Sequence, residues 1–184
     1  MPITTRAHSR SKAASTNARL ADSRIWRSIV VGAALFVFAL ILSAIFEPQI
    51  RVLHTLQALI YIAVVVLTRR HSAWGYGAGF LISALWNYIN LFVNTFIRNG
   101  FNQWVGLLQT GRIERPDQAL ALIAAVGHFL LIAACLVGFL RTRPRGRQWG
   151  EFVGGGLLAV AYFILIIFTT GPQYIPLMRR TFGL

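Results

Sequence analysis

Apolar positions run almost without interruption through five stretches of this chain, at 28–46, 52–68, 71–97, 118–140 and 152–178. None of the five carries an acidic residue, lysine or arginine except at its borders. Crossing a bilayer takes roughly 20 consecutive apolar residues, and a charge at the centre costs about 2.5–3.5 kcal/mol. The pattern therefore predicts an all-α integral membrane protein built as a bundle of five transmembrane helices. The breaks 47–49 and 69–72 are too short for anything but tight turns, so spans one, two and three are expected to be antiparallel neighbours.

The longest break, 98–117, has a periodicity of its own. Phe101, Trp104, Val105 and Leu108 recur at helical spacing, with Asn102, Gln103 and Gln109 elsewhere on the wheel. This predicts a short amphipathic helix lying in the interface between spans three and four. Gly111 is placed to end it, and Pro116 to open the fourth span in its first turn. Gly171-Pro172 and Pro176 break the last helix, leaving 179–184 as a short external tail.

The third span carries the most information. On a helical wheel Gly75, Gly79, Ser83, Asn87, Asn90 and Asn94 share an arc of about 120°. Small residues four apart let helix backbones approach closely. The fifth span opens with the same spacing at Gly150 and Gly154, which predicts a parallel contact between spans three and five. The three carboxamides bring donors and acceptors that hydrocarbon cannot satisfy. One reading makes them interhelical hydrogen bonds, worth about 0.6 kcal/mol each on average, with Gln57, His128 and Ser43 as partners. The other makes them a polar pocket for a small polar or quinone-like ligand, walled by Trp86 and Tyr88 and reached by His128.

Composition sharpens the compartment. Hydrophobic residues make up 56% of the chain and charged ones 12%, far from the usual soluble balance. The net charge of +13 is spread over the ends of the apolar stretches and does not form one basic face, which argues against nucleic-acid binding. Such charges meet anionic lipid headgroups instead. Arg6, Arg10, Lys12, Arg19, Arg24 and Arg27 precede the first span; Arg69, Arg70, Arg141, Arg143, Arg145 and Arg147 fall on the same side. The other side receives Arg51, Arg98, Arg112, Arg115, Arg179 and Arg180, diluted by Glu47, Glu114 and Asp117. The positive-inside rule then places the N-terminus in the cytoplasm and the C-terminus outside. Segment 1–27, rich in Ser, Ala and Thr, is expected to be a disordered basic tail ahead of a membrane domain at 28–178. A cleaved signal peptide is the rival for the first stretch. Its apolar part is too long, and 43–46 lacks a small-x-small cleavage site. Nearly all basic residues are arginine, a bias associated with GC-rich bacterial genomes, so a bacterial inner membrane is expected.

The chemistry-bearing residues are few. Cys135 is the only cysteine and lies inside the fourth stretch, so no internal disulfide forms. His54 and His128 differ in depth by on the order of 10 Å, which disfavours bis-histidine ligation of one haem. All five acids sit near helix ends, leaving no buried carboxylate for proton-coupled transport. No GxSxG or HExxH motif is present. No metal, cofactor or catalytic group is therefore expected. The leading expectation is a non-enzymatic accessory or scaffold subunit, packing through Gly75, Gly79, Ser83, Gly150 and Gly154 against a membrane-protein partner or a second copy of itself. The alternative is a binder or carrier using Asn87, Asn90, Asn94, Trp86, Tyr88 and His128.

Overall fold

The computed structural model describes the backbone of residues 4–183, with side chains from residue 22 onward except at 182. Seven α-helices follow one another, and no strand occurs among the described residues. They are α1 (Thr4–Phe46), α2 (Arg51–Arg69), α3 (Ala73–Tyr88), α4 (Phe96–Thr110), α5 (Pro116–Arg141), α6 (Gly146–Thr170) and α7 (Ile175–Phe182). Five stretches are long and apolar enough to cross a membrane: Asp22–Phe46, Pro48–Arg69, Ala73–Val93, Pro116–Arg141 and Gly146–Thr170.

Helix α1 begins at Thr4, and residues 1–3 lie outside the described residues. No glycine or proline interrupts the chain between Thr4 and Val31, and its alanines and arginines are good helix formers. At the other end Gly171 and Pro172 stop α6 at Thr170, and α7 folds back with Met178 buried. Residues 179–182 thus belong to a helix.

Helix α3 is the central strut, packed against α2, α5 and α6. Its first half is glycine-rich because three neighbours press on it from different directions. A Cβ on Gly75 would sit 2.5 Å from Leu67 of α2, and one on Gly79 would meet Cys135 of α5 at 2.6 Å. Gly77 faces α6, where a Cβ would collide with the Phe152 carbonyl oxygen. Gly155 returns the contact against the Trp74 backbone, and Gly156 packs on Leu81. The contact between spans three and five therefore exists, with Gly154 against the Trp74 ring and Gly77, Gly155 and Gly156 at the closest approaches. Gly150 meets nothing within 4 Å. Gly77 lies about 200° around the wheel from Gly75, which is why the stripe chosen from sequence faces other helices.

Sequence reasoning did not anticipate that α1 packs most extensively on α5. The pair runs antiparallel, crossing at Gly32 and Gly127. A Cβ on either would come within 2.8 Å of the other's carbonyl oxygen. One glycine on each helix makes no repeat, so no spacing motif marks the crossing.

The expected amphipathic helix is present as α4. Gly111 ends it in the left-handed conformation at φ 72°, and Pro116 opens α5. Gly100 lets α4 approach α5 at Gln118, while Trp104 Nε1 donates to the Ala119 carbonyl at 3.0 Å. Gln103 Oε1 accepts from the backbone N–H groups of Glu114 and Arg115, pinning the connection. Phe101 and Leu108 stay exposed.

Candidate functional site

The second half of α3 behaves differently from the first. Its helix widens into a π turn at Ile89–Val93 and stops at Asn94, after which Thr95 takes a left-handed φ of 58°. Such a φ is uncommon for a β-branched residue and must be held by its surroundings. The carboxamides supply the hold. Asn90 Nδ2 donates to the Trp86 carbonyl at 2.8 Å, and Asn94 Nδ2 donates to Asn90 Oδ1 at 3.0 Å. Asn94 Oδ1 then accepts from the Phe96 N–H at 2.9 Å, starting α4. These two asparagines bond along their own chain rather than to Gln57, His128 or Ser43 as expected from sequence. Ser43 is instead 3.0 Å from His54 Nδ1, tying α1 to α2.

The broken end of α3 borders a cavity of about 330 Å³, lined by residues of all seven helices. That volume falls at the lower end of small-molecule sites. Its rim carries Glu47, Arg115 and Asp117. Arg115 grips Asp117 through Nε at 3.0 Å and Nη2 at 2.8 Å. This bidentate hydrogen bond holds the exposed guanidinium charged, above its ordinary range. Burial, helped by the Glu47 and Asp117 carboxylates, raises the Tyr174 hydroxyl and keeps it a neutral donor at the rim. The lining also presents Asn90, Asn94 and Gln57, together with Phe36, Leu40, Trp86 and Phe163. Gln57 is 4% exposed. The lining thus combines paired charges, carboxamides and apolar side chains.

Of the residues singled out from sequence, Trp86, Asn90 and Asn94 come together on this cavity. Tyr88 does not: it is 48% exposed on the outside of the bundle, against Phe92 at 5.7 Å. Two helical residues from Trp86 is about 200°, which turns Tyr88 away from the wall that Trp86 forms. Asn87 and His128 are buried but do not line the cavity. Nor is His128 bonded to the asparagine stripe. Its Nε2 lies 2.6 Å from Tyr61 Oη of α2, and Phe36 and Trp86 stack around its ring with centroids at 4.0 and 4.7 Å. Phe36 and Trp86 are therefore a shared wall, cavity on one side and imidazole on the other. Tyr61, fully buried, had no sequence signal beyond being a polar aromatic in an apolar run.

His54 and His128 point to separate partners, and no group of three potential metal ligands forms among the described residues. A second, smaller space of about 260 Å³ lies at the opposite end, between Asp22, Trp26, His71, Tyr76 and Arg141. There Tyr76 Oη and His71 Nδ1 are 3.3 Å apart.

No family model, curated protein or solved structure matches this chain.

Proposed function

We propose that this chain is a five-span membrane protein that binds or carries a small amphiphilic molecule in the cavity beside α4. One observation carries the reading: a single cavity is lined by the Arg115–Asp117 pair, by the carboxamides of Asn90, Asn94 and Gln57, and by apolar groups such as Phe36 and Phe163. A ligand with a hydrogen-bonding head and an apolar tail suits that mixed lining, because polar and apolar groups border the same space. The exposed Phe101 and Leu108 on α4 suit a helix lying in the headgroup region beside the cavity, where amphiphiles partition. The arginine partition supports the N-terminus in the cytoplasm and the C-terminus outside, and the arginine bias supports a bacterial inner membrane. Basic ends would meet anionic lipid there.

An accessory or scaffold subunit is the second reading. It rested on the two stretches of small residues four apart and on the absence of a catalytic constellation, yet Gly75 and Gly79 press on α2 and α5 within the same chain. The cavity reading is preferred for that reason.

The test is to purify the protein from its own membranes and weigh small molecules released on denaturation. The expected result is one amphiphile near one per chain, depleted in Ala121→Phe, which thrusts a ring into the cavity wall. Identical lipid profiles from both proteins, with both still folded, would contradict the proposal.

A further inference from the structure

Ser83, Asn87 and His128 are all more than nine-tenths buried. Ser83 Oγ, both carboxamide atoms of Asn87 and His128 Nδ1 find no hydrogen-bonding partner within the protein. The three residues belong to α3 and α5, whose packing forms one seam. Gly79 of α3 meets Cys135 of α5, and seven residues along each antiparallel helix Trp86 meets His128 edge-on at 4.7 Å. Ser83 and Asn87, a helical turn apart on the α3 face that begins at Gly79, belong to that same stretch.

The pattern is independent of how hydrogens are assigned. If Tyr61 donates to His128 Nε2, then Nδ1 carries the proton and needs an acceptor. If Nε2 donates to Tyr61, then Nδ1 is a bare acceptor and needs a donor. Asn87 lacks a partner on oxygen and nitrogen alike, so exchanging the two changes nothing.

We infer that this seam is a binding site for one or two ordered water molecules, held by His128 Nδ1, Asn87 and Ser83 behind the Phe36–Trp86 wall. The donor set selects water. Asn87 offers both N–H donors and a carbonyl acceptor, while Ser83 and His128 take either role; water supplies two donors and two acceptors. An ion of either sign would face opposed dipoles. Tyr61, His128, water and Asn87 then form one hydrogen-bonded line joining α2, α5 and α3 across the middle of the bundle. The inference uses atoms outside the cavity, so either reading can fail alone.

Solid-state NMR of the protein in bilayers, with ring-¹⁵N histidine, tests it through short-time polarisation transfer from water. His8→Gln, His54→Gln and His71→Asn identify the other ring signals by subtraction and leave the seam intact. The expected result is rapid water transfer to His128, falling at least threefold in the Ser83→Ala/Asn87→Leu double variant. Transfer to His71 should persist unchanged. No transfer to His128 in the otherwise native protein, with His71 visible, would overturn the inference. So would undiminished transfer in a folded double variant.

Discussion

The two halves of the central span solve opposite problems with residues from one helical stripe. In the half from Ala73 to Ile82, glycines let three helices touch the backbone of α3, and the result is dense and closed. In the half from Ser83 to Asn94, carboxamides take over, the helix widens into a π turn and ends in a left-handed threonine. The cavity borders this half at Trp86, Ile89, Asn90 and Asn94. Removing a side chain buys proximity; adding one that must be hydrogen-bonded holds helices apart and breaks the regular ladder.

Four substitutions sharpen that contrast. The largest effect is expected from Gly77→Ala, whose methyl would strike the Phe152 carbonyl. Rigid backbone on both sides leaves no room to yield, so a loss of about 3 kcal/mol is expected. Reversible unfolding in mixed micelles would register it, and an unchanged midpoint would show that α3 and α6 are not in contact there. Tyr61→Phe comes next, at about 1–2 kcal/mol, because it leaves both His128 nitrogens without a protein partner. The same unfolding curve reads it. Asn94→Leu removes the acceptor for the Phe96 N–H and the donor to Asn90, for about 1 kcal/mol. Its larger consequence should be on ligand retention, measured by the amount of amphiphile that co-purifies. The smallest change has the opposite sign. Gly150 meets nothing within 4 Å inside α6, so Gly150→Ala should stabilise by about 0.5–1 kcal/mol, in contrast to Gly77 on the facing helix.

Much of this arrangement was legible in the sequence. Apolar length marked the five long helices, and i, i+3, i+4 spacing with Gly111 and Pro116 marked α4 and its limits. Those signals are local. The crossing of α1 on α5 was not legible, because it depends on lone glycines at 32 and 127 that meet only in the fold. The carboxamide stripe was visible as a set of positions, but the wheel assumed a regular helix through Asn94. The π turn alters the register of that stretch, and Asn90 and Asn94 satisfy each other along the chain. Asn87, still in regular helix, is buried with no protein partner. A helical wheel gave Tyr88 no inward direction; only its aromatic character and depth suggested a wall. His128 was recognised as buried and polar, whereas its partner Tyr61 lies 67 residues away and leaves no trace in spacing.

The central claim is that the carboxamide half of α3 borders an accessible cavity while its neighbouring positions stay closed. The most direct measurement places single cysteines at 87, 88, 90 and 94 in a Cys135→Ala background and follows their reaction with a small, charged, water-soluble thiol reagent in sealed vesicles. A cysteine at the exposed Thr110 of α4 serves as the positive control. The account predicts clear labelling at 94, slower labelling at 90, and protection at 87, with Ala121→Phe suppressing the first two. Protection at 90 and 94 with Thr110 labelled, or equal labelling at 87, would contradict it.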